Sequence, residues 1–335
     1  MTKHVTVIGA GAWGTALANA AALAGCQVRL WGRDQAHIRE MARTRRNERR
    51  LPGVMVQPQV HPEPDLAQAV EGTDAVMLVV PAQQTVAMTQ HLVPLLPRAI
   101  PLIVCAKGLD RATGRFLSDP ISQSAAQHPV MILSGPSFAE DVGRGLPTAV
   151  VLAAEQEELA RSWAHHLSSS RFRLYHSADR RGVEIGGAAK NVLALAAGIV
   201  SGRGLGESAR AALTARGFAE LARFAQAWGG LSETLMGLSG LGDLVLTSAS
   251  TRSRNFAFGD ALGRGVPVDE ASGGKLAEGA FTASVLVSMA RAKSVSMPIA
   301  EAVDAVLSGQ ESIEVLVDRL MTRPIKAEHE RVDRA

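Results

Sequence analysis

Hydrophobic residues in the first half of the chain gather into short continuous runs, with helically spaced apolar residues between most of them. Runs of this length, bounded by glycine, proline or polar residues, predict buried strands. The predicted strands cover residues 4–9, 27–31, 75–80, 102–105, 130–133, 148–152 and 172–175. Alternating strands and helices are typical of an α/β fold with a doubly wound parallel sheet and right-handed crossovers.

The strand signal ends near residue 178, and apolar residues at helical spacing, interrupted by glycine-rich loops, fill the rest of the chain. We therefore expect a sheet domain over residues 1–178 and an all-α domain over residues 179–335. The length of 335 residues agrees with two domains. Single hydrophobic cores seldom grow beyond about 250–300 residues.

Composition and charge exclude several classes of protein. With 47% hydrophobic and 20% charged residues the chain is globular, and its formal net charge of +3 is too small to indicate a nucleic-acid partner. Cys26 and Cys105 lie in apolar surroundings and show no metal-ligand or disulfide spacing. We expect the chain to start with a strand instead of a leader, and no apolar run is expected to reach the length needed to cross a bilayer. We expect a cytoplasmic protein without a metal, a nucleic-acid partner or stable membrane insertion.

A glycine motif, Gly9-Ala-Gly11-Ala-Trp-Gly14, follows the first predicted strand and opens the first predicted helix. In this position Gly9 permits a tight turn, Gly11 lets the backbone approach a pyrophosphate, and Gly14 lets the helix pack closely on the strand. The unpaired N–H groups of the helix N-terminus would face the anion. A glycine turn without a ligand is the alternative, but the placement between strand and helix favours a Rossmann-type dinucleotide site.

The end of the second predicted strand bears on the choice of coenzyme. An acidic residue there binds the ribose hydroxyls of NAD, whereas an arginine accommodates the 2′-phosphate of NADP. This chain has both, as Arg33 followed by Asp34. Arg33 favours NADP as the coenzyme, and Asp34 keeps NAD as an alternative. In a third interpretation Arg33 only faces solvent and contacts no coenzyme. The arginine-rich run of residues 43–50 is either a solvated helix end or a patch for anionic cofactor groups.

Three further motifs directly follow predicted strands, at the edge where open α/β sheets bind ligands. They are Val80-Pro-Ala82, Cys105-Ala-Lys107-Gly108 and Ser134-Gly135-Pro-Ser137-Phe-Ala139. Lys107 supplies a cation there, and Ser137 beside Gly135 offers a hydroxyl and accessible backbone N–H groups. Taken alone, the Gly-Pro-Ser sequence is equally typical of a turn.

The helical half contains an isolated cation, Lys190, in an almost wholly apolar stretch. Burial of an unpaired ammonium is costly or lowers its pKa, so Lys190 indicates either an ion pair or acid–base chemistry. Further along the chain, Asp243 could pair with Lys190 or hold a substrate hydroxyl. Ser253, Arg254 and Asn255 provide adjacent donors suited to phosphate. A turn aspartate and surface arginines are the alternative interpretation of this region.

Taken together, these motifs resemble the NAD(P)-dependent glycerol-3-phosphate dehydrogenases, in particular the bacterial soluble type. The resemblance extends over nearly the whole chain. It also rests on Arg46-Asn47, Leu51-Pro-Gly53, Lys190-Asn191, Arg210-Ala-Ala-Leu-Thr-Ala-Arg216-Gly217, Gly240-Leu-Gly-Asp-Leu-Val-Leu-Thr247 and Glu278-Gly279. It implies an N-terminal Rossmann domain, a helical C-terminal domain like that of 6-phosphogluconate dehydrogenase, and a cleft between them.

The resemblance also implies roles for individual residues, with Lys190 as the proton acceptor. The substrate would be bound by Lys107, Gly135, Ser137, Lys190, Asp243, Ser253, Arg254 and Asn255. The cofactor would be bound by Gly9, Gly11, Ala12, Trp13, Gly14, Arg33, Lys107, Ala139, Arg254, Leu276 and Glu278. The chain departs from the family pattern at Gly206-Glu207-Ser208, where Gly-Asp-Asn is usual, and at Leu276, where valine is common.

The implied activity is reversible hydride transfer between the nicotinamide of NAD or NADP and C2 of a three-carbon phosphate. It would interconvert dihydroxyacetone phosphate and sn-glycerol 3-phosphate for phospholipid synthesis, and the family suggests a homodimer. Two other functions are compatible with parts of the sequence. A related dehydrogenase acting on another hydroxy acid would not need Ser253-Arg-Asn255, and a non-catalytic dinucleotide-sensing protein would not need Lys190.

Overall fold

The computed structural model describes residues 2–97, 99–272 and 277–322. Its strands are numbered in chain order. They are β1 (His4–Ile8), β2 (Gln27–Trp31), β3 (Arg46–Asn47), β4 (Leu51–Met55), β5 (Val60–Glu63), β6 (Ala75–Leu78), β7 (Leu102–Val104), β8 (Leu109–Asp110), β9 (Arg115–Phe116), β10 (Val130–Ser134), β11 (Thr148–Ala154) and β12 (Phe172–Ser177).

Helices connect these strands and make up the second half of the chain. They are α1 (Ala12–Leu23), α2 (Gln35–Thr44), α3 (Leu66–Val70), α4 (Ala82–Leu92), α5 (Ser118–Ser124), α6 (Ala139–Gly143), α7 (Glu157–Leu167), α8 (Arg180–Gly202), α9 (Glu207–Ala227), α10 (Ser232–Met236), α11 (Asp243–Thr247), α12 (Arg254–Gly263), α13 (Val268–Ala271), α14 (Glu278–Ala292), α15 (Pro298–Leu307) and α16 (Ile313–Met321). A 3₁₀ turn at Val93–Leu95 follows α4, and a π-helical turn at Leu238–Gly242 precedes α11.

Eight strands form one sheet in the order β12-β11-β10-β7-β6-β1-β2-β5. β1 lies inside the sheet and pairs in parallel with β2 on one side and with β6 on the other. The strand order therefore reverses at β1 and β6, and open α/β sheets bind ligands in the crevice at such a point. The predicted doubly wound sheet followed by a helical half is confirmed.

One pair of strands differs from the expectation of a parallel sheet, because β10 and β11 run antiparallel. The chain between them contains only α6, a helix of five residues. A helix of that length is about 7.5 Å long, whereas a five-residue strand spans about 17 Å. α6 is therefore too short to carry the chain back across the sheet, and β11 starts at the edge where β10 ends.

The edge strand β5 pairs in parallel with β2 and is absent from the predicted strands. Its sequence, Val-His-Pro-Glu, has little apolar character, which edge strands tolerate because fewer of their side chains and N–H groups are covered. Two short antiparallel pairs, β3 with β4 and β8 with β9, were also not predicted. β3, β8 and β9 have two residues each, too few to show a periodicity, and the five residues of β4 include a proline and a glycine, which are uncommon in strands.

Separate clusters of apolar side chains fill the two faces of the sheet and the helical half. Val7 of β1 belongs to the cluster on one face and Ile8 to the cluster on the other. A third cluster surrounds α8. We propose the domain boundary between residues 178 and 179. Asp179 accepts hydrogen bonds from the N–H groups of Gly182 (2.7 Å) and Leu231 (2.8 Å), both in the helical half.

α8 is the central helix of the second half, and residues 182–200 are all buried. Contrary to expectation, this one helix of the described residues is long and apolar enough to cross a bilayer, although its apolar window is fully buried inside the protein. α12 packs directly against its backbone. A Cβ at Gly259 would lie 2.0 Å from the Leu195 carbonyl oxygen, and one at Gly198 would lie 2.2 Å from that of Phe256. This contact places the start of α12 beside the middle of α8.

Candidate active site

The glycine motif forms the turn between β1 and α1 at the reversal point of the sheet. Gly9 has a φ of +121°, and a Cβ there would lie 2.6 Å from the Val79 carbonyl oxygen. A Cβ at Gly14 would lie 1.7 Å from the Gly9 carbonyl oxygen, so the helix touches the strand. At Gly11, by contrast, no atom of the described residues outside the turn itself lies within 4 Å of an added Cβ. The backbone is packed behind the turn and open in front of it, which fits a dinucleotide pyrophosphate at the start of α1.

Two oppositely charged side chains, Arg33 and Asp34, follow β2, and only Asp34 has an ion-pair partner among the described residues. Asp34 accepts a hydrogen bond from the N–H of His37 (3.0 Å) and pairs with Arg49 (3.3 Å). The hydrogen bond from His37, aided by the charge of Arg49, holds the pKa of Asp34 below its usual value. Arg33 is exposed and has no ion pair among the described residues. Asp34 is exposed as well, so the two residues differ in that only the arginine has no ion-pair partner among the described residues and is available to a cofactor phosphate.

Two lysines share one buried carboxylate where the sheet meets the helices. Lys190 Nζ on α8 lies 2.7 Å from Oδ1 of Asp243, and Lys107 Nζ, after β7, lies 2.8 Å from Oδ2. Asp243 is 1% exposed and Lys190 is 3% exposed. The structure thus contains the pairing of Lys190 with Asp243 that was one of the alternatives from the sequence. It also adds a second cation, Lys107, to the same carboxylate.

Burial lowers the pKa of Lys190 to about 8. The charge of Asp243 opposes this shift, whereas the nearby charge of Lys107 adds to it. One carboxylate between two ammonium groups leaves an excess positive charge, which favours loss of a proton from the more deeply buried lysine. An amine that titrates near neutral pH can donate a proton and take it back, as general acid–base catalysis requires.

The loop after β10 completes the surroundings of Lys107. Its Nζ donates a hydrogen bond to the Gly135 carbonyl oxygen (2.8 Å) and lies 3.5 Å from Ser137 Oγ. Gly135 has a φ of +148°, and a Cβ there would lie 2.8 Å from Cα of Val150. A larger residue therefore does not fit at Gly135. Lys107, which follows β7, therefore lies in contact with Gly135 and Ser137, which follow β10.

A chain of amide hydrogen bonds connects this cluster to α12 and α14. Asn191 Nδ2 donates to the Lys107 carbonyl oxygen (2.9 Å), and Asn191 Oδ1 accepts from Asn255 Nδ2 (2.9 Å). Asn255 Oδ1 in turn accepts from the N–H of Gly279 (2.8 Å). Asn191 had no assigned role in the sequence-based site, although its position beside Lys190 in an apolar stretch was a signal.

The remaining predicted residues lie around this cluster. Ser253 caps α12 by accepting from the N–H of Phe256 (3.4 Å), and the adjacent Arg254 is exposed. Oε1 of Glu278 accepts from the N–H of Ala82 (3.3 Å), whereas its buried Oε2 has no hydrogen-bond partner among the described residues. Burial raises the pKa of Glu278, against the effects of the Ala82 N–H and the Arg254 charge.

Ala12 and Trp13 form the first turn of α1, and Ala139 begins α6, which packs on α1. All three residues pack against the same apolar cluster on one face of the sheet. Leu276, which the resemblance placed in the cofactor site, lies outside the described residues.

A glycine turn open to a pyrophosphate, on a Rossmann-type sheet, is joined here to a buried lysine of lowered pKa on a helical second half. This combination defines a two-domain dehydrogenase of the pyridine-nucleotide class. Models of the N-terminus and C-terminus of NAD-dependent glycerol-3-phosphate dehydrogenase match residues 4–160 and 179–318. The chain belongs to the NAD-dependent glycerol-3-phosphate dehydrogenase family, which confirms the resemblance seen in the sequence.

Relatives in this family match nearly the whole chain. The glycerol-3-phosphate dehydrogenase (NAD(P)+) of Azorhizobium caulinodans is 59% identical over 325 residues, covering 97% of this chain and 98% of its own. The protein of the same name from a Bradyrhizobium species is 56% identical over 326 residues, with the same coverage. The crystal structure of glycerol-3-phosphate dehydrogenase from Coxiella burnetii superposes with a TM-score of 0.91 at 36% identity, covering 96% of this chain and 99% of its own.

Proposed function

We propose that this protein is an NAD(P)-dependent glycerol-3-phosphate dehydrogenase that interconverts dihydroxyacetone phosphate and sn-glycerol 3-phosphate. The cluster of Lys190, Asp243 and Lys107 carries the proposal. It places a lysine of lowered pKa at the edge of the sheet where the glycine turn lies, because β1 and β7 are parallel strands of one sheet. Membership of the family, and the name of the relatives, support the same reaction.

The dinucleotide would lie across the reversal point of the sheet, with its pyrophosphate on the glycine turn. The proposed contacts are Gly9, Gly11, Ala12, Trp13, Gly14, Arg33, Lys107, Ala139, Arg254, Leu276 and Glu278. When bound, the nicotinamide supplies a hydride in the reduction and accepts one in the oxidation. Because Asp34 already caps a helix and pairs with Arg49, the exposed Arg33 favours NADPH over NADH.

Lys190 moves the proton of the reaction. In the reduction its Nζ donates a proton to the oxygen on C2 as the carbonyl becomes an alcohol, and in the oxidation the neutral amine takes that proton back. Asp243, at 2.7 Å, holds the ammonium in place. Lys107 provides a positive charge beside the forming alkoxide, where electrostatic stabilisation is most effective. Gly135 and Ser137 form the wall of the site on the sheet side.

The phosphate of the substrate would be held at the start of α12. Ser253, Arg254 and Asn255 lie there, and the helix N-terminus adds N–H groups and a favourable dipole for an anion. Binding the phosphate away from C2 fixes the reacting carbon relative to Lys190. Such remote binding contributes to orientation in the transition state.

Arg254→Ala should raise KM for dihydroxyacetone phosphate about tenfold or more, because a charge-assisted contact to phosphate is lost. kcat should change less, since Lys190 and its partners are untouched. The measurement is steady-state kinetics at saturating NADPH. Arg264→Ala is the control, because Arg264 lies at the other end of α12 and pairs with Asp260. An unchanged KM in Arg254→Ala would place the phosphate elsewhere.

We also propose the cellular setting of the reaction. The protein would act in the cytoplasm and supply sn-glycerol 3-phosphate for phospholipid synthesis, without stable membrane insertion and without a nucleic-acid partner. A homodimer is the assembly that the family resemblance suggests. Gel filtration with light scattering measures this directly.

The proposed reaction is tested by following the absorbance of NADPH and of NADH in the presence of dihydroxyacetone phosphate. We expect oxidation of both, faster with NADPH. Unphosphorylated dihydroxyacetone and a 2-keto acid serve as control substrates. Oxidation of neither coenzyme would overturn the assignment, and preferred turnover of the keto acid would indicate a dehydrogenase for another hydroxy acid. Coenzyme binding without any turnover would indicate a dinucleotide-sensing protein.

A further inference from the structure

Asn47 is a completely buried amide behind the glycine turn. It ends β3, in the short motif Arg46-Asn47, and its side chain contacts the turn. Its Nδ2 donates hydrogen bonds to the Ala10 carbonyl oxygen (3.1 Å) and to Thr15 Oγ1 (2.7 Å). The side chain thus contacts both the loop and the first turn of α1.

The third contact of Asn47 connects the glycine turn to α2. Both amide hydrogens are used, so Asn47 Oδ1 acts as an acceptor, and Nε2 of His37 at 2.9 Å must carry the proton between them. His37 belongs to α2, whose capping residue Asp34 directly follows Arg33. One side chain therefore joins the turn that faces the pyrophosphate to the helix beside the ribose end of the site.

The contact with Ala10 determines where the next N–H points. Ala10 and Gly11 share one peptide unit, and the described chain contains no cis peptide bond. In a trans peptide the carbonyl and the N–H point in opposite directions. By binding the Ala10 carbonyl oxygen, Asn47 turns the N–H of Gly11 away from its own buried side chain, at a residue where an added Cβ would meet no atom of the described residues outside the turn.

We propose that Asn47 is a positioning residue for the dinucleotide: it orients the Ala10–Gly11 peptide so that the Gly11 N–H meets a phosphate of the coenzyme. The proposal rests on the dinucleotide site of the proposed function. Because the pyrophosphate is common to NADH and NADPH, Asn47 acts on both coenzymes equally. It has no part in the proton transfer or in binding dihydroxyacetone phosphate.

A purely structural role of Asn47 can be distinguished from the positioning role, because α1 contains a second buried asparagine, Asn19, that serves as a matched control. Asn19 is also completely buried, donates to the Met55 carbonyl oxygen (2.8 Å) and accepts from the N–H of Gln57 (3.0 Å). It lies one helical turn beyond Thr15 and makes no hydrogen bond to the glycine turn. Asn19→Ala therefore removes a buried amide from the same helix without releasing the Ala10 carbonyl.

The test measures coenzyme affinity by isothermal titration of the purified full-length protein with NADPH and with NADH. We expect Asn47→Ala to raise both Kd values about tenfold and by the same factor, because an unpaired buried carbonyl is free to rotate away. kcat and KM for dihydroxyacetone phosphate at saturating coenzyme should stay near the wild-type values. Asn19→Ala should lower the melting temperature and leave both Kd values unchanged.

Wild-type Kd values in Asn47→Ala, or an equal loss of affinity in Asn19→Ala, would overturn the proposal. If Asn47→Ala does not fold, Thr15→Val replaces it, because valine keeps the shape of the fully buried threonine and removes only the hydroxyl that accepts from Asn47. Thr15→Val should raise both Kd values about threefold, and unchanged values would then overturn the proposal. A wild-type protein that binds neither coenzyme would instead contradict the proposed function.

Discussion

Lys190→Ala is expected to lower kcat for the reduction of dihydroxyacetone phosphate about 10²–10⁴-fold, because it removes the amine that we propose transfers the proton. The Kd for NADPH should stay near its wild-type value, since the glycine turn is untouched. The fold should also persist. Asp243 keeps Lys107 at 2.8 Å as a partner, so its buried carboxylate does not lose all of its positive charge.

A second variant separates lost chemistry from lost packing. Lys190→Met retains most of the aliphatic stem and should reduce kcat as strongly as alanine does. Lys3→Met is the matched control, because Lys3 pairs with Asp74 (3.4 Å) at the opposite end of β1 and should leave kcat unchanged. The measurements are kcat with both substrates saturating, NADPH titration and thermal melting. If both Lys190 variants kept kcat within tenfold of wild type, Lys190 would be only a structural ion-pair partner.

Asp243→Asn is expected to reduce stability and to change the pH dependence of the reaction. The substitution removes the carboxylate charge with which both Lys190 and Lys107 pair. Breaking a buried ion pair costs about 3–5 kcal/mol. Part of this cost is avoided when Lys190 releases its proton. The pKa of Lys190, about 8 in the wild type, should therefore fall, because the carboxylate opposes the effect of burial.

The direction of the change in activity follows from the form of Lys190 that each reaction uses. In the proposed mechanism reduction needs the ammonium, so wild-type kcat/KM for dihydroxyacetone phosphate should fall as the pH rises through about 8. Oxidation would need the neutral amine and should become faster over the same range. In Asp243→Asn both inflections should move to lower pH, with a lower free energy of unfolding at neutral pH.

Rate profiles in both directions and urea unfolding measure these effects. Asp74→Asn is the control, because it removes a carboxylate that pairs with the half-buried Lys3 and lies away from the site. It should leave both profiles unchanged. An unshifted inflection in Asp243→Asn would show that Asp243 does not tune the proton transfer.

The proximity of the candidate site residues that lie on the sheet could be predicted from the sequence. Lys107 and Ser137 follow different strands, and β7 and β10 are parallel neighbours whose carboxyl ends share one edge. Their side-chain atoms, Nζ and Oγ, lie 3.5 Å apart. The glycine turn could also be predicted, because the spacing of its glycines allows a tight turn after the strand and close packing of the helix that follows.

The helical part of the site could not be located in the same way. Periodicity predicts a helix but does not show which turn of a neighbour it will meet. Here the register depends on close contacts such as that of Gly186, where a Cβ would lie 2.7 Å from the Ser239 carbonyl oxygen. Ser239 belongs to the π-helical turn before Asp243, which no sequence pattern indicated. The contact of Asp243 with Lys107, which joins the two halves, therefore appeared only in the structure.

The backbone contact between α8 and α12 makes Lys190 and Asn255 parts of one stiff unit, because the glycines leave no layer of side chains that could slide. Lys107 belongs to the sheet instead. Burial is the main cause of the lowered pKa of Lys190, and the positive charge of Lys107 adds to it, so the acidity of the lysine depends in part on how closely the sheet and the helices approach. Drawing the halves apart would return Lys190 towards its protonated form. We therefore expect the amine to exchange a proton near neutral pH only while the sheet and the helices are in contact.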